Sequence, residues 1–354
     1  MRRLVALLTL ATLLLPAVVL AQTKLRVATC ARTITTGVGA PFAIATKLGW
    51  FKQEGLDVEV VPLPGSSDCV KTVATHEVPV SLPSVEPLAI GRPQGVKAKL
   101  FYTAYETNGY GLAVPVDSPI QKAADLKGKT IGVTNMASAG VIIARAQVSA
   151  AGLNPDTDVT IVVAGEGAQP AAMLRNKQID ALSQFDTQYA LIENAGLKMR
   201  YLDRSAIARF PGNGFLANED TIKTRRKELV GLGRAYAKAT IFTLNNPEAA
   251  VRIVYEVFPQ TKPTGKDEAT AVRDDVKVLE ARMPHWRLEP AGVTKWGENS
   301  EVNYRDYVDF LLKWGVLKQK VETSELITNE LIDEINQLDA AKVIAEAKAY
   351  RYAR

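Results

Sequence analysis

Histidine and cysteine are almost missing from this chain: 354 residues hold two of each, His76 and His285, Cys30 and Cys69. So small a supply of soft ligands argues against a structural zinc site, and no metal is expected. It also leaves little for nucleophilic catalysis. His285 sits in Met283-Pro284-His285-Trp286 with no serine or cysteine arrangement to serve, and His76 falls at a helix end. Neither builds a nucleophile–base pair, so the chain is expected not to be an enzyme and to need no cofactor. Charge of one sign is lacking too: 43 Lys and Arg face 38 Asp and Glu, interspersed along the chain. The basic run Lys223-Thr224-Arg225-Arg226-Lys227 reads as the solvated face of a helix, and no nucleic-acid partner is implied. Beyond the first residues, no apolar stretch reaches the roughly 20 residues that cross a bilayer.

What is there begins with a leader. Arg2 and Arg3 precede an apolar run from Leu4 to Leu15, Pro16 breaks it, and Val19-Leu20-Ala21 sets small residues at −3 and −1. This is the pattern of a cleaved secretory signal, cut after Ala21, and its apolar run is short for a membrane anchor. Gln22 follows the cut, with no cysteine there to carry a lipid, so the mature chain is expected to be free and soluble. Removing 21 of the 354 residues leaves 333, with 41 basic against 38 acidic residues. That length suffices for a sizeable core, usually in two domains. After export the two cysteines can form one disulfide. Both fall where neighbouring βα units approach, but the Cα separation that decides between a bridge and two thiols is not in the sequence.

The chain also repeats itself. Val58 to Tyr102 lies over Val159 to Asp203 at a constant offset of 101, without a gap. Val58-Glu59-Val60-Val61 falls on Val159-Thr160-Ile161-Val162, Glu77-Val78-Pro79-Val80 on Gln178-Ile179-Asp180-Ala181, and Gly95-Val96 on Gly196-Leu197. Each copy reads strand, Gly-containing loop, helix, strand, loop, helix, strand, which implies a parallel sheet. Leu25 to Thr29 and Thr130 to Thr134 precede the copies as first strands. Two such lobes imply a cleft lined by the loops that follow each strand.

From about Ala217 the pattern turns helical. Helices fit Glu219 to Leu244, with Asn218 as N-cap, then a start at Glu248 after Pro247, and Asp267 to Met283, Ser300 to Trp314 and Thr328 to Lys348. The strand-like Gly214-Phe215-Leu216-Ala217 returns the chain to the first lobe. Crossings between lobes are expected near Tyr105 to Gly111 and Phe210 to Gly214, both rich in Gly or Pro as hinge segments often are. The expected division is a leader at 1–21, one lobe from 22–107 and 214–354 with the C-terminal helices, and a second lobe at 108–213.

Several stretches carry a family resemblance. Ala40-Pro41-Phe42-Ala43-Ile44-Ala45 and Leu48-Gly49-Trp50-Phe51-Lys52-Gln53-Glu54-Gly55-Leu56-Asp57-Val58 resemble the opening of nitrate/sulfonate/taurine-type ABC substrate-binding proteins, a family that includes binders of thiamine pyrimidine precursors. Asp117-Ser118-Pro119-Ile120 with Asp125-Leu126-Lys127-Gly128-Lys129-Thr130-Ile131-Gly132-Val133 resembles its passage into the second lobe, and Ile179-Asp180-Ala181 through Phe185-Asp186 to Tyr189-Ala190 a later strand and loop. The likeness covers about Leu25 to Asp203 and is weaker in the tail. Within it, Trp50 reads as core, and His76-Glu77-Val78-Pro79 departs from the usual Gly-Glu-Val-Asp, setting a proline where a ladder donor is expected.

The resemblance implies an α/β, two-lobed periplasmic-binding-protein fold of type II, with parallel-dominated mixed sheets and helices on both faces. It further implies a monomeric periplasmic component of an ABC importer, with the membrane permease and its ATPase as partners. Its cargo would be a small organic or anionic solute, sulfonate-, taurine- or nitrate-like, held between the lobes by hinge closure. A thiamine pyrimidine precursor or an aromatic acid are alternatives on the same fold. Relatives that synthesise that pyrimidine carry a cysteine-rich motif absent here. A sensory or partner-binding module is the other alternative, weakened because no membrane or signalling segment follows.

Candidate ligand residues come from the loops. Arg32, Thr33 and Thr35 follow the first strand, and Arg32 has the fork that matches a sulfonate or carboxylate. Ser66 and Ser67 open a helix whose free N–H groups suit an anionic head group, unless Ser67 or Asp68 only caps it. Ser84 and Glu86 follow the next strand. Asn135 and Ser138, then Phe185 and Asp186, occupy the corresponding loops of the second copy. Glu86 and Asp186 read as partners for an amine, as loop-ordering groups, or as partners of Arg32, and Phe185 and Tyr105 as covers for an apolar ligand or as core.

Overall fold

The computed structural model describes residues 22–352, so the leader read from Arg2 to Ala21 lies outside the described residues. Two five-stranded sheets organise the chain. The first contains β1 (Thr23–Thr29), β2 (Leu56–Pro62), β3 (Val80–Leu82), β4 (Ala98–Thr103) and β10 (Gly214–Asn218), in the order β2-β1-β3-β10-β4. The second contains β5 (Tyr110–Pro115), β6 (Lys129–Val133), β7 (Val159–Val163), β8 (Ala181–Phe185) and β9 (Met199–Tyr201), in the order β7-β6-β8-β5-β9. In each, one strand runs against its neighbours: β10 against β3 and β4, and β5 against β8 and β9. That strand is supplied by the segment crossing from the other sheet. The chain leaves the first sheet after Thr103 to enter the second at Tyr110, and returns between Tyr201 and Gly214.

The internal repeat is visible in the backbone. Helices α1 (Thr36–Lys47), α2 (Trp50–Gln53), α3 (Ser66–Ala74) and α4 (Val85–Gly91) serve the first sheet, and α5 (Ala139–Ala150), α6 (Gln169–Arg175) and α7 (Asp186–Asn194) the second. Offset by 101, β2, α3, β3, α4 and β4 overlie β7, α6, β8, α7 and β9. His76 and Lys177, at equivalent places after α3 and α6, both take positive φ, 61° and 53°. Gly95 and Gly196 do the same at 98° and 84°. A side chain at positive φ is strained, which is why glycine suits the position that His76 fills. Pro79 precedes β3 and therefore costs no ladder bond.

The tail forms α8 (Glu219–Thr224), α9 (Arg226–Asn245), α10 (Pro247–Val257), α11 (Glu268–Arg282), α12 (Glu301–Lys313), α13 (Ile332–Ile335) and α14 (Ala340–Ala349). Two expected helices are interrupted. Arg225 leaves helical geometry at φ −117°, ψ 30° and splits Glu219 to Leu244. Asp339 starts α14 afresh by accepting from the Lys342 N–H at 2.9 Å. Asn218 occupies the N-cap position of α8, but its side chain accepts from no helix N–H, while its Nδ2 donates to Val73 O, 2.5 Å away. Asn246 does cap α10, accepting from Ala249 N–H at 3.1 Å.

Helices α1, α9 and α10 cover one face of the first sheet. Phe42, Tyr102, Phe215 and Tyr236 meet there in edge-to-face and tilted contacts, with Phe215 and Tyr236 ring centres 4.9 Å apart. Trp50 is core, as its sequence context suggests. On the other face Cys69 of α3 is bonded to Cys30, at a Cα separation of 5.9 Å, tying the loop after β1 to that helix. Among the described residues no helix is long and apolar enough to cross a membrane.

Candidate functional site

In a βα fold the helix following a strand starts at the strand's carboxyl end, so its N-terminus and the preceding loop face the same way. Here α1, α3 and α4 of the first sheet start opposite α5 and α7 of the second. Contacts cross between them. Asn135 Nδ2 donates to Pro64 O at 2.8 Å, and Ser67 N–H to Ala137 O at 3.2 Å. Thr33 Oγ1 donates to Glu166 Oε2 at 2.6 Å, and the Arg32 N–H reaches Glu166 Oε1 at 3.4 Å. The space left between encloses ≈ 30 Å³ and is lined by Val38, Leu82, Tyr105, Tyr110, Phe185 and Arg282. Such a volume is on the order of one water.

The strongest electrostatic feature is the pair between Asp186, at the start of α7, and Arg282, at the end of α11. Arg282 Nη2 lies 2.5 Å from Asp186 Oδ1, and both are buried. The guanidinium also stacks on Tyr105, 3.9 Å from its ring centre. Burial opposes the charge on Arg282 most strongly, but Asp186, Tyr105 and Tyr236 together outweigh it and raise the pKa above the usual arginine range. His285 stands on the other side, Nε2 3.7 Å from Asp186 Oδ2 and Nδ1 2.8 Å from Thr107 Oγ1. Burial above all pushes His285 down to about 4, so it is neutral near pH 7.

A second polar group lies under Tyr110. Ser84 Oγ and N–H both reach Ser66 Oγ at 3.2 Å. Glu86 is fully buried and accepts from Tyr307 O–H. Burial raises its pKa against the opposing hydrogen bonds of Ser84 and Tyr307. Several buried polar atoms near the facing helix starts have no hydrogen-bond partner: Thr35 Oγ1, Thr36 Oγ1, Glu86 Oε2, Asp186 Oδ2, Thr187 Oγ1 and Gln188 Nε2. A buried donor or acceptor left unpaired costs roughly 1–3 kcal/mol, so unpaired groups converging from two lobes mark a place where a solute can supply the partners. Helix N-termini add positive potential there.

The loops named from the sequence are therefore brought together, but with different parts. Thr35, Ser66, Ser84, Glu86, Asn135, Ser138, Phe185 and Asp186 are buried or half-buried along the interlobe surface. Ser138 caps α5, accepting from Gly140 N–H at 3.1 Å. Arg32, Thr33 and Ser67 are exposed at the margin. Asp186 pairs with Arg282 and not with Arg32: the loop after β1 is held to the second lobe through Glu166, while α11 carries Arg282 under α7. The sequence offers no signal for Arg282 or Thr187, and His285 stands there only as a catalytic candidate. Arg282 is 96 residues from its partner and sits in no motif.

Comparison with known proteins shows the family and the fold. Residues 38–250 match the family model described as NMT1/THI5 like. The riboflavin-binding protein RibY of Chloroflexus aurantiacus is 22% identical over 296 residues, 83% of this chain and 82% of RibY. Among solved structures, the alkanesulfonate-binding protein SsuA from Xanthomonas axonopodis pv. citri, bound to MOPS, superposes with a TM-score of 0.64 at 16% identity, over 87% of this chain and 99% of that one. The periplasmic nitrate-binding protein NrtA from Synechocystis PCC 6803 gives 0.64 at 16% identity, over 92% and 91%. At such identities the structures speak for the shared fold. The matched family model covers more than half of the sequence, and the chain belongs to the NMT1/THI5-like family.

Proposed function

We propose that this chain is the extracytoplasmic solute-binding component of an ABC importer, exported by its first 21 residues, working as a monomer and delivering its cargo to a membrane permease. A small organic solute is held between the two lobes, one formed by residues 22–107 and 214–354 and the other by 108–213. The observation that carries this reading is the set of unpartnered buried polar atoms meeting from both lobes, with Thr35, Thr36 and Glu86 on one side and Thr187 and Gln188 on the other. A solute bridging them stabilises the closed arrangement by its differential contacts.

The chemistry favours a ring-bearing solute with hydrogen-bonding oxygens or nitrogens over nitrate. Tyr105, Tyr110 and Phe185 line the cleft, the arginine there is already neutralised by Asp186, and Arg32 is exposed. An aromatic acid or a pyrimidine meets those surfaces; a sulfonate would rely on helix N-termini for its charge. Either needs the lobes to stand further apart than ≈ 30 Å³ permits. A thermal-shift panel on the mature protein, with taurine, an alkanesulfonate, nitrate, benzoate, an aminopyrimidine and riboflavin, tests the reading. One compound should raise Tm with its concentration, and a strain lacking the gene should lose uptake of that compound. Normal uptake in that strain sinks the importer role.

A further inference from the structure

On the far side of Asp186 from the cleft, a second cavity of ≈ 500 Å³ opens to solvent. Its walls come from both lobes: α7 and β9 contribute Ala190 and Met199, and α11 contributes Ala281. The segment returning from the second sheet to the first adds Arg204. One end is closed by Asn194 Nδ2, which donates across the lobes to Asp274 O at 2.8 Å. The floor is apolar, while the margin carries the ammonium groups of Lys198 and Lys277. Arg204 lies over the Tyr201 ring, 4.7 Å from its centre, and is held by Asn108 O at 2.6 Å.

The acids in this wall do not cancel those cations. Asp186 at the inner end is matched by Arg282 at 2.5 Å. Glu193 contributes one carboxylate and already accepts from Met199 N–H at 3.3 Å. Lys277 shares its charge with Asp274 at 3.6 Å, so Lys198 and Arg204 face Glu193 alone and the wall keeps one positive charge in excess. His285, at the inner end, is neutral near pH 7.

We propose that this cavity is a second small-molecule site, behind the crossing segments, that takes an organic monocarboxylate with its apolar body on the alanine and methionine floor and its carboxylate among Lys198, Arg204 and Lys277. Because its walls belong to different lobes, occupancy is linked to their relative placement, and so reciprocally to whatever the cleft binds. The binding step itself does not depend on the importer reading.

Calorimetric titration of the mature protein with benzoate, and with benzamide as its uncharged counterpart, tests the site. Benzoate should bind and benzamide should bind more weakly. Ala281→Trp fills the cavity and should abolish binding. Lys198→Glu, an exposed change that leaves the core untouched, should weaken it roughly threefold or more. Should Ala281→Trp fail to fold, Lys198→Glu combined with Lys277→Glu carries the test. Benzoate binding that survives these changes lies elsewhere and overturns the proposal, as does no binding at millimolar benzoate. The cleft reading fails separately, on the members of the solute panel other than benzoate.

Discussion

Asp186 and Arg282 hold opposite lobes together through one buried ion pair, and removing a single partner of such a pair strands the other charge. Arg282→Met should therefore cost about 3–5 kcal/mol in urea unfolding, and adding Asp186→Asn should recover part of the loss. A single variant that melts like the wild type would refute this. His285 makes a second, pH-dependent contribution. Its folded pKa of about 4 lies below the ordinary 6.5, so the folded state resists the proton that the unfolded state accepts. Stability from this residue is complete above pH 6.5 and is lost as the pH falls toward 4, by at most about 3 kcal/mol. His285→Gln should show a smaller drop in unfolding free energy between pH 7 and pH 4 than the wild type; equal drops would exclude the effect. Glu86 acts in the opposite sense, because its carboxyl is more easily buried when protonated, but it is present in both proteins and cancels.

Elements were largely legible because their signals are local. The alternation of Leu56, Val58 and Val60 with Asp57 and Glu59 suffices for β2, a half-buried edge strand. Gly95 and Gly196 announce the turns that follow α4 and α7 by the same backbone need. What was not legible is where such signals are weak or misleading. Arg225 breaks a helix without a proline or glycine, and Asn218 looks like a cap yet bonds elsewhere. The cysteine pair was undecidable from spacing, and the fold settles it by laying α3 beside the loop after β1. That bridge joins residues 39 apart, and Cys30→Ala with Cys69→Ala should destabilise the protein by about 4 kcal/mol. Differential scanning calorimetry checks this, and an unchanged Tm would count against it. The same loss should loosen the segment carrying Arg32 and Thr33.

At the scale of the whole molecule, the approach of the lobes depends on glycine where helix starts meet. A Cβ on Gly65 would stand 2.4 Å from Ala137 O, a backbone atom that cannot turn aside. Gly65→Ala should hold the lobes apart, raise the radius of gyration in small-angle scattering and weaken the solute that the panel identifies. A compact Gly65→Ala protein with unaltered affinity would contradict that. A Cβ on Gly37 meets the Thr187 methyl at the same distance, but a side chain can rotate, so Gly37→Ala should open the lobes less.

The sequence by itself determined the two similar βα units and the loops that face one another, because strand periodicity and turn glycines are properties of short windows that recur at a constant offset of 101; the family came from the resemblance of its motifs. It put Ser66, Ser84, Asn135 and Asp186 on loops that the structure sets facing one another, since a loop's place follows from its strand. Only the tertiary structure decided which side chains meet there. Arg282 arrives from the end of α11 to pair with Asp186, Tyr307 from α12 to bond Glu86, and Arg32 is left at the margin. Those pairings depend on how the C-terminal helices pack across the lobes, a long-range outcome of burying apolar faces that no local pattern around Asp186 or Glu86 encodes.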